Sequence, residues 1–223
     1  MNRHVFVTGG SGYLGRPLIA ELLDRGHRVR ALVRPGSEHR IPAGAELVFG
    51  NALDSTGWRA HVAPADTFVH LVGTPHPGPA KAAEFNAIDL PSIKAAVAAA
   101  ESAGIAHFVY VSVAHPAPIM HAYLSVRSQG EALIASARLD ATILRPWYVL
   151  GEGHRWAYAL VPFYAIARLI PSTRAGARRL GLVTHAQMLS ALVAAVESPV
   201  SGIRIVEVPE IARGLDVPMA ATP

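Results

Sequence analysis

The stretch Thr8-Gly9-Gly10-Ser11-Gly12-Tyr13-Leu14-Gly15 constrains this chain more than any other, because it stands between an apolar run, His4-Val5-Phe6-Val7, and a helical repeat. Gly9 permits a tight turn, Gly12 lets the backbone come up against a pyrophosphate, and Gly15 lets the following helix pack closely on the first strand. The N–H groups and positive dipole end of that helix then face an anion. Leu14, Leu18 and Leu22 recur at helical spacing, Gly26 ends the helix, and Arg28-Val29-Arg30-Ala31-Leu32-Val33 supplies a second strand. Strand, glycine turn, helix and strand together predict a βαβ dinucleotide-binding unit.

Short apolar runs continue to alternate with helical patterns through the first two thirds of the chain, as in a parallel sheet covered on both faces. Strands are predicted at 4–8, 28–33, 45–49, 66–72, 106–112 and 140–145, and helices near 12–25, 81–103 and 121–138, with a short one near 55–62. The expected fold is α/β, a Rossmann-like doubly wound sheet of strand order 3-2-1-4-5-6 with the ligand at the carboxyl ends of the strands. Residues 1–150 form the predicted nucleotide-binding domain, 151–211 a small helical region that returns to the sheet, and 212–223 a frayed tail. Within the second region, 185–198 reads as a helix and 202–208 as a last, seventh strand. Trp156–Ile170 is apolar all round, which suits a lid over a substrate pocket, an oligomer interface, a membrane-surface element or a buried core helix.

Composition narrows the function classes. At 223 residues and 51% hydrophobic content the chain can bury a full core. Zero cysteines exclude disulfides and thiolate metal sites, and the first strand starts too early for a signal peptide, so a cytoplasmic location is expected. No apolar run approaches the roughly twenty residues of a membrane span. The net charge of +4 comes from scattered arginines, with only Arg174, Arg178 and Arg179 near one another, so a nucleic-acid partner is not expected. Eleven histidines show no His-Glu-x-x-His or His-x-His spacing, and no metal site is predicted. His76, His115 and His121 fall on loops at the expected ligand edge, while His70 and His107 read as structural. A homodimer is left open.

The glycine turn at 8–15, Arg34 after strand two, Gly50-Asn51-Ala52-Leu53-Asp54, Phe108-Val109-Tyr110-Val111-Ser112, the Tyr123/Arg127 pair and Leu144-Arg145-Pro146 before Gly151 together resemble the short-chain dehydrogenase/reductase superfamily. The resemblance is to its atypical and extended branches, including the NmrA-like group and the nucleotide-binding accessory subunit of respiratory complex I, and covers about residues 3–208. It implies cofactor contacts from Gly9, Gly12, Tyr13, Leu14 and Gly15, from Arg34, Asn51 and Leu53, from Leu71, Val72 and Gly73, and from Tyr123, Arg127 and Pro146. An acidic residue after strand two would bond the ribose 2′-hydroxyl of NAD(H); Arg34 suits a 2′-phosphate instead, with Arg16, Arg30 and Arg40 as further candidates, so NADP(H) is favoured over NAD(H).

The family pairs a tyrosine acid/base with a lysine four residues on, and here Tyr123-Leu124-Ser125-Val126-Arg127 keeps the spacing but not the lysine. Arginine keeps the charge and cannot relay a proton. Neither of the two lysines, Lys81 and Lys94, lies on that helix. The carbonyl-polarising hydroxyl is also displaced: Val113 takes its position and Ser112 precedes it, a shift that reverses facing on a strand. The implied function is an NADP(H)-dependent oxidoreductase reducing a small apolar carbonyl or quinone-like substrate at a degenerate site of Tyr123, Arg127 and Ser112. The alternative is a non-catalytic NAD(P)-binding redox sensor or accessory subunit that docks through Trp156–Ile170.

Overall fold

The computed structural model describes residues 2–151, 176 and 179–215. Six strands, β1 (His4–Thr8), β2 (Arg28–Val33), β3 (Glu46–Phe49), β4 (Thr67–His70), β5 (His107–Val111) and β6 (Ala141–Arg145), pair in parallel in the order β3-β2-β1-β4-β5-β6. Two short strands follow, β7 (Tyr148–Leu150) and β8 (Leu182–Thr184), which pair with each other in a separate two-stranded sheet. The last strand, β9 (Ile203–Glu207), then joins the main sheet beside β6 as its seventh member.

Alternation along the strands divides the core between the two faces of the sheet. Val5 and Val7 point to one face with Leu18, Ile19 and Leu22 of helix α1 (Gly15–Asp24). Phe6 points to the other, where Trp58, Phe6, Phe68 and Phe108 form a ladder of rings with centroids 5.1–5.6 Å apart. That second face is covered by α3 (Leu90–Ser102) and α4 (His121–Ser136), represented in the core by Ile93 and Ile134. α3 is entered through the short helix α2 (Ala82–Glu84) and a π turn at Phe85–Asp89, which together make one helical stretch close to the predicted 81–103. The predicted short helix near 55–62 is two 3₁₀ turns, Ser55–Gly57 and Arg59–His61.

Helix α5 (His185–Glu197) packs on the α1 face and starts with a capping box, Thr184 accepting from the Gln187 amide while the Gln187 side chain accepts from the Thr184 amide. The last strand ends one residue before the predicted 208, because Val208 opens a short helix, α6 (Val208–Arg213), capped reciprocally by Glu207 and Glu210. The predicted tail from Ala212 is therefore corrected at its start: Ala212 and Arg213 are helical, and Pro218 and Pro223 lie outside the described residues. Trp156–Ile170 also lies outside the described residues. Among the described residues no helix is long and apolar enough to cross a membrane.

His70 and His107, which read as structural in the sequence, are buried and hydrogen-bonded within the sheet. His70 is buried, its Nδ1 2.8 Å from Thr8 Oγ1, and burial, aided by the charge of Arg127, pushes its pKa down to about 3. His107 stands 3.1 Å from Thr142 Oγ1, and burial, followed by the charge of Arg3, lowers its pKa to about 4.

Candidate functional site

β1 and β4 are neighbours although they are not consecutive among the parallel strands, so the sheet reverses its winding between them. A cavity of about 570 Å³ opens at the carboxyl ends of the strands at that point. Its walls come from the glycine turn (Gly9, Gly12, Tyr13, Leu14, Gly15), the loop after β4 (Leu71 and Gly73 to Pro77), the end of β5 (Val111, Ser112, Val113), the loop after β6 (Pro146, Trp147, Tyr148, Val149), and Tyr123 and Arg127 of α4. Val72 is beside it: a Cβ on Gly9 would meet the Leu71 carbonyl carbon at 2.8 Å and the Val72 amide nitrogen at 2.9 Å.

The turn is shaped by its glycines. Gly9 has φ +79°, and the Gly12 amide donates to the Gly9 carbonyl at 3.0 Å. A Cβ on Gly12 would lie 3.1 Å from that carbonyl oxygen, and one on Gly15 only 2.3 Å. The start of α1 has no side-chain cap, which leaves its positive end for a ligand. A pyrophosphate fits this cradle, since Gly9 and Gly15 let the turn close against the Leu71–Val72 backbone and against itself, and Gly12 sets no side chain over it. Tyr13 is partly exposed over the turn; its ring stands 4.5 Å from His185, whose Nε2 lies 3.2 Å from the Tyr13 carbonyl oxygen.

The residues expected around an adenosine end are arranged along the next strands. Arg34 is exposed directly after β2, and Arg16 and Arg40 are exposed as well. Arg30 is not available to a phosphate: it donates to the carbonyls of His61 and Ala63 and to Glu46 at 2.8 Å, because its mid-strand position directs it across to β3 and the turn before β4. Asn51 Oδ1 accepts the Leu53 amide at 3.0 Å, and its carbonyl accepts the Trp58 indole N–H at 2.9 Å.

At the other end, Arg127 is buried and held through both of its terminal nitrogens. Its Nη2 donates to Asp89 Oδ1 at 2.7 Å and its Nη1 to the Val111 carbonyl at 3.0 Å, with Tyr110 Oη at 3.5 Å. Its guanidinium carbon stands 5.1 Å from the centroid of the Tyr123 ring. Burial works against its charge, but Tyr123, Tyr110 and Asp89 outweigh burial and hold it more firmly protonated than a free arginine. The Tyr123 ring packs on Phe85 at 4.9 Å.

Ser112 reaches the cavity wall, but its hydroxyl donates to Glu131 at 2.5 Å. Burial pushes the Glu131 carboxyl up, while hydrogen bonds from Arg145 and Ser112 bring it below its usual range. Arg145 also donates to Glu207 at 3.1 Å, tying α4, β6 and β9 together. Of the loop histidines, His76 lines the cavity with φ +48°, and His115 lies 3.5 Å from Glu131. Among the described residues no cluster of His, Asp or Glu could hold a metal.

Sequence reasoning missed Asp89, Thr74 and Glu131. Only Asp89 carried a signal in the sequence: a carboxylate set between Ile88 and Leu90 requires a partner once buried.

Residues 9–162 match the family described as NAD(P)H-binding. A ceramide reductase of Caulobacter vibrioides is 28% identical over 94% of this chain and 65% of its own length. A 4-hydroxy-2-methyl-3-oxo-4-farnesyl-3,4-dihydroquinoline-1-oxide ketoreductase of Stigmatella aurantiaca is 30% identical over 66% of this chain and 50% of its own. The chain thus spans less than two thirds of either relative. The fold is shared with a short-chain dehydrogenase/reductase superfamily protein of Agrobacterium tumefaciens with bound NAD, at TM-score 0.67 and 18% identity over 92% of this chain and 77% of that one. It is likewise shared with the enzyme WbmH of Bordetella bronchiseptica in complex with NAD⁺, at TM-score 0.68 and 20% identity over 91% of this chain and 75% of that one. Glycine cradle, sheet order and family match agree, and the chain belongs to the NAD(P)H-binding family.

Proposed function

We propose that the chain is an NADP(H)-dependent reductase that reduces a small apolar carbonyl or quinone-like compound, with Tyr123 as proton donor. The observation that carries this reading is that one cavity contains both the glycine turn and Tyr123. The apolar part of its remaining lining, Pro75, Pro77, Val111, Val113, Pro146, Trp147 and Val149, outweighs the polar Thr74, His76, Ser112 and Arg127 in number and favours an apolar substrate.

The nicotinamide supplies a hydride when the cofactor is bound. The glycine turn and α1 hold the pyrophosphate, Leu71, Val72, Gly73 and Pro146 border the cofactor, and Asn51 and Leu53 meet the adenine. The exposed position of Arg34 supports a contact with a 2′-phosphate. Tyr123 gives its phenolic proton to the carbonyl oxygen, and Arg127 supports it by charge, because an arginine does not relay protons. The names of two relatives, a ceramide reductase and a ketoreductase, support a reductase activity.

A second reading, an NAD(P)-binding sensor without turnover, is favoured by one observation: the Ser112 hydroxyl is committed to Glu131, and Val113 stands where the family places its polarising hydroxyl. Calorimetric NADPH titration paired with NADPH consumption against aldehydes, ketones and quinones separates the two. Binding with turnover supports the reductase, and binding with none across the panel supports the sensor.

A further inference from the structure

Asp89 closes the π turn Phe85–Asp89 and is 2% exposed. Its Oδ1 accepts from Arg127 at 2.7 Å, while its Oδ2 accepts both the amide N–H of Thr74 at 2.9 Å and the Thr74 hydroxyl at 2.6 Å. One side chain therefore joins the π turn, the loop after β4 and α4. Gly73 makes the approach feasible, since a Cβ there would stand 2.3 Å from Arg127 Nη2. The two groups that bracket the Tyr123 ring, Arg127 and Phe85, are both set by this turn: Phe85 opens it, and Asp89 at its end holds Arg127. π turns recur at functional sites, where they re-aim side chains at a cost in helical regularity.

We infer that Asp89 is a positioning residue of the reductase site: with Arg127 it forms a buried clamp that fixes the Tyr123 ring and the Thr74 loop against each other across the cavity. The catalytic consequence rests on the reductase reading, and the clamp rests on the geometry. The guanidinium fork suits this role because Nη2 serves Asp89 while Nη1 serves the Val111 carbonyl. An ammonium at the same place is a compact charge that does not span both partners. Arg127→Lys, which on sequence alone looks like restoration of the family's relay and so a gain in turnover, is here expected to lower it.

The test uses the full chain. Asp89→Asn keeps the size and one acceptor oxygen for Thr74 but removes the charge opposite Arg127. Three readouts are compared with the parent: amide hydrogen exchange at Thr74, the Tyr123 signal in NMR of chain labelled with ¹³C-tyrosine (assigned by its loss in Tyr123→Phe), and kcat beside NADPH affinity. Asp89→Asn should speed exchange at Thr74, move the Tyr123 signal, and lower kcat by on the order of a hundredfold through misplacement, with NADPH affinity retained. Because a buried charge left alone also destabilises, the double variant Asp89→Asn/Arg127→Gln carries the same measurements if the single variant does not fold. An unmoved Tyr123 signal with parental Thr74 exchange overturns the clamp, whatever the activity. If both signals move while the parent turns over no substrate, the clamp stands and the reductase reading fails.

Discussion

Gly15 backs directly onto Gly9: a Cβ at Gly15 would lie 2.3 Å from the Gly9 carbonyl oxygen, against 3.1 Å for a Cβ at Gly12. The glycines of one motif therefore do different work. Gly15 lets α1 start directly against the Gly9–Gly10 turn, and Gly12 is the one proposed to admit the ligand. Gly12→Val should abolish NADPH binding with little change in melting temperature, because its Cβ meets only the Gly9 carbonyl oxygen, at 3.1 Å, while its branches would take space proposed for the pyrophosphate. Gly15→Val should lower the melting temperature by on the order of 5–10 °C, as overpacking of about 2–3 kcal/mol does in a chain of this size. Calorimetry and thermal denaturation on both variants check the contrast.

In the proposed reading Arg34 sets the phosphate preference. The parent should bind NADPH more tightly than NADH, and Arg34→Asp should erase or reverse that order by setting a like charge against the 2′-phosphate. A charge-assisted hydrogen bond corresponds to a change of about tenfold to a hundredfold in the affinity ratio. Equal affinities of the parent for the two cofactors, measured by titration, contradict the assignment.

His70 should make the fold sensitive to mild acid. Burial and then Arg127 hold its pKa at about 3, against 6.5 for a free histidine. As pH falls below the higher value, the unfolded chain takes up a proton there that the folded chain refuses until the lower one, so stability declines across the window between them. The expected slope from this residue is about 1.4 kcal/mol per pH unit once the unfolded imidazole is protonated. Urea denaturation between about pH 7 and pH 5 should show a shallower decline for His70→Gln than for the parent. Parallel declines would count against the buried neutral imidazole.

The parallel sheet was legible because its strands carry a local signal: β1 and β2 follow apolar runs whose bounds match the predicted ones, and Gly26, at φ +82°, ends α1 where the repeat stops. The β7–β8 pair was not legible, since each strand has three residues and their partnership spans a long connection. Within the site, the glycine turn could be named from its spacing and Tyr123 from the family resemblance, and both line the cavity. What Arg127 does could not, because its partner Asp89 is 38 positions away and reaches it only through the fold. Arg30 shows the same limit: adjacency in sequence to the predicted phosphate site said nothing of Glu46, which β3 brings beside it.

The most direct test of the account measures binding and turnover together in the parent chain and in Tyr123→Phe. The account predicts that the parent binds NADPH and consumes it with an apolar ketone or quinone. It predicts that Tyr123→Phe keeps the affinity and loses about 10²–10⁴-fold in turnover, since only the transferable proton is removed. A parent that binds neither NADPH nor NADH, or a Tyr123→Phe variant that turns over at the parental rate, would contradict it.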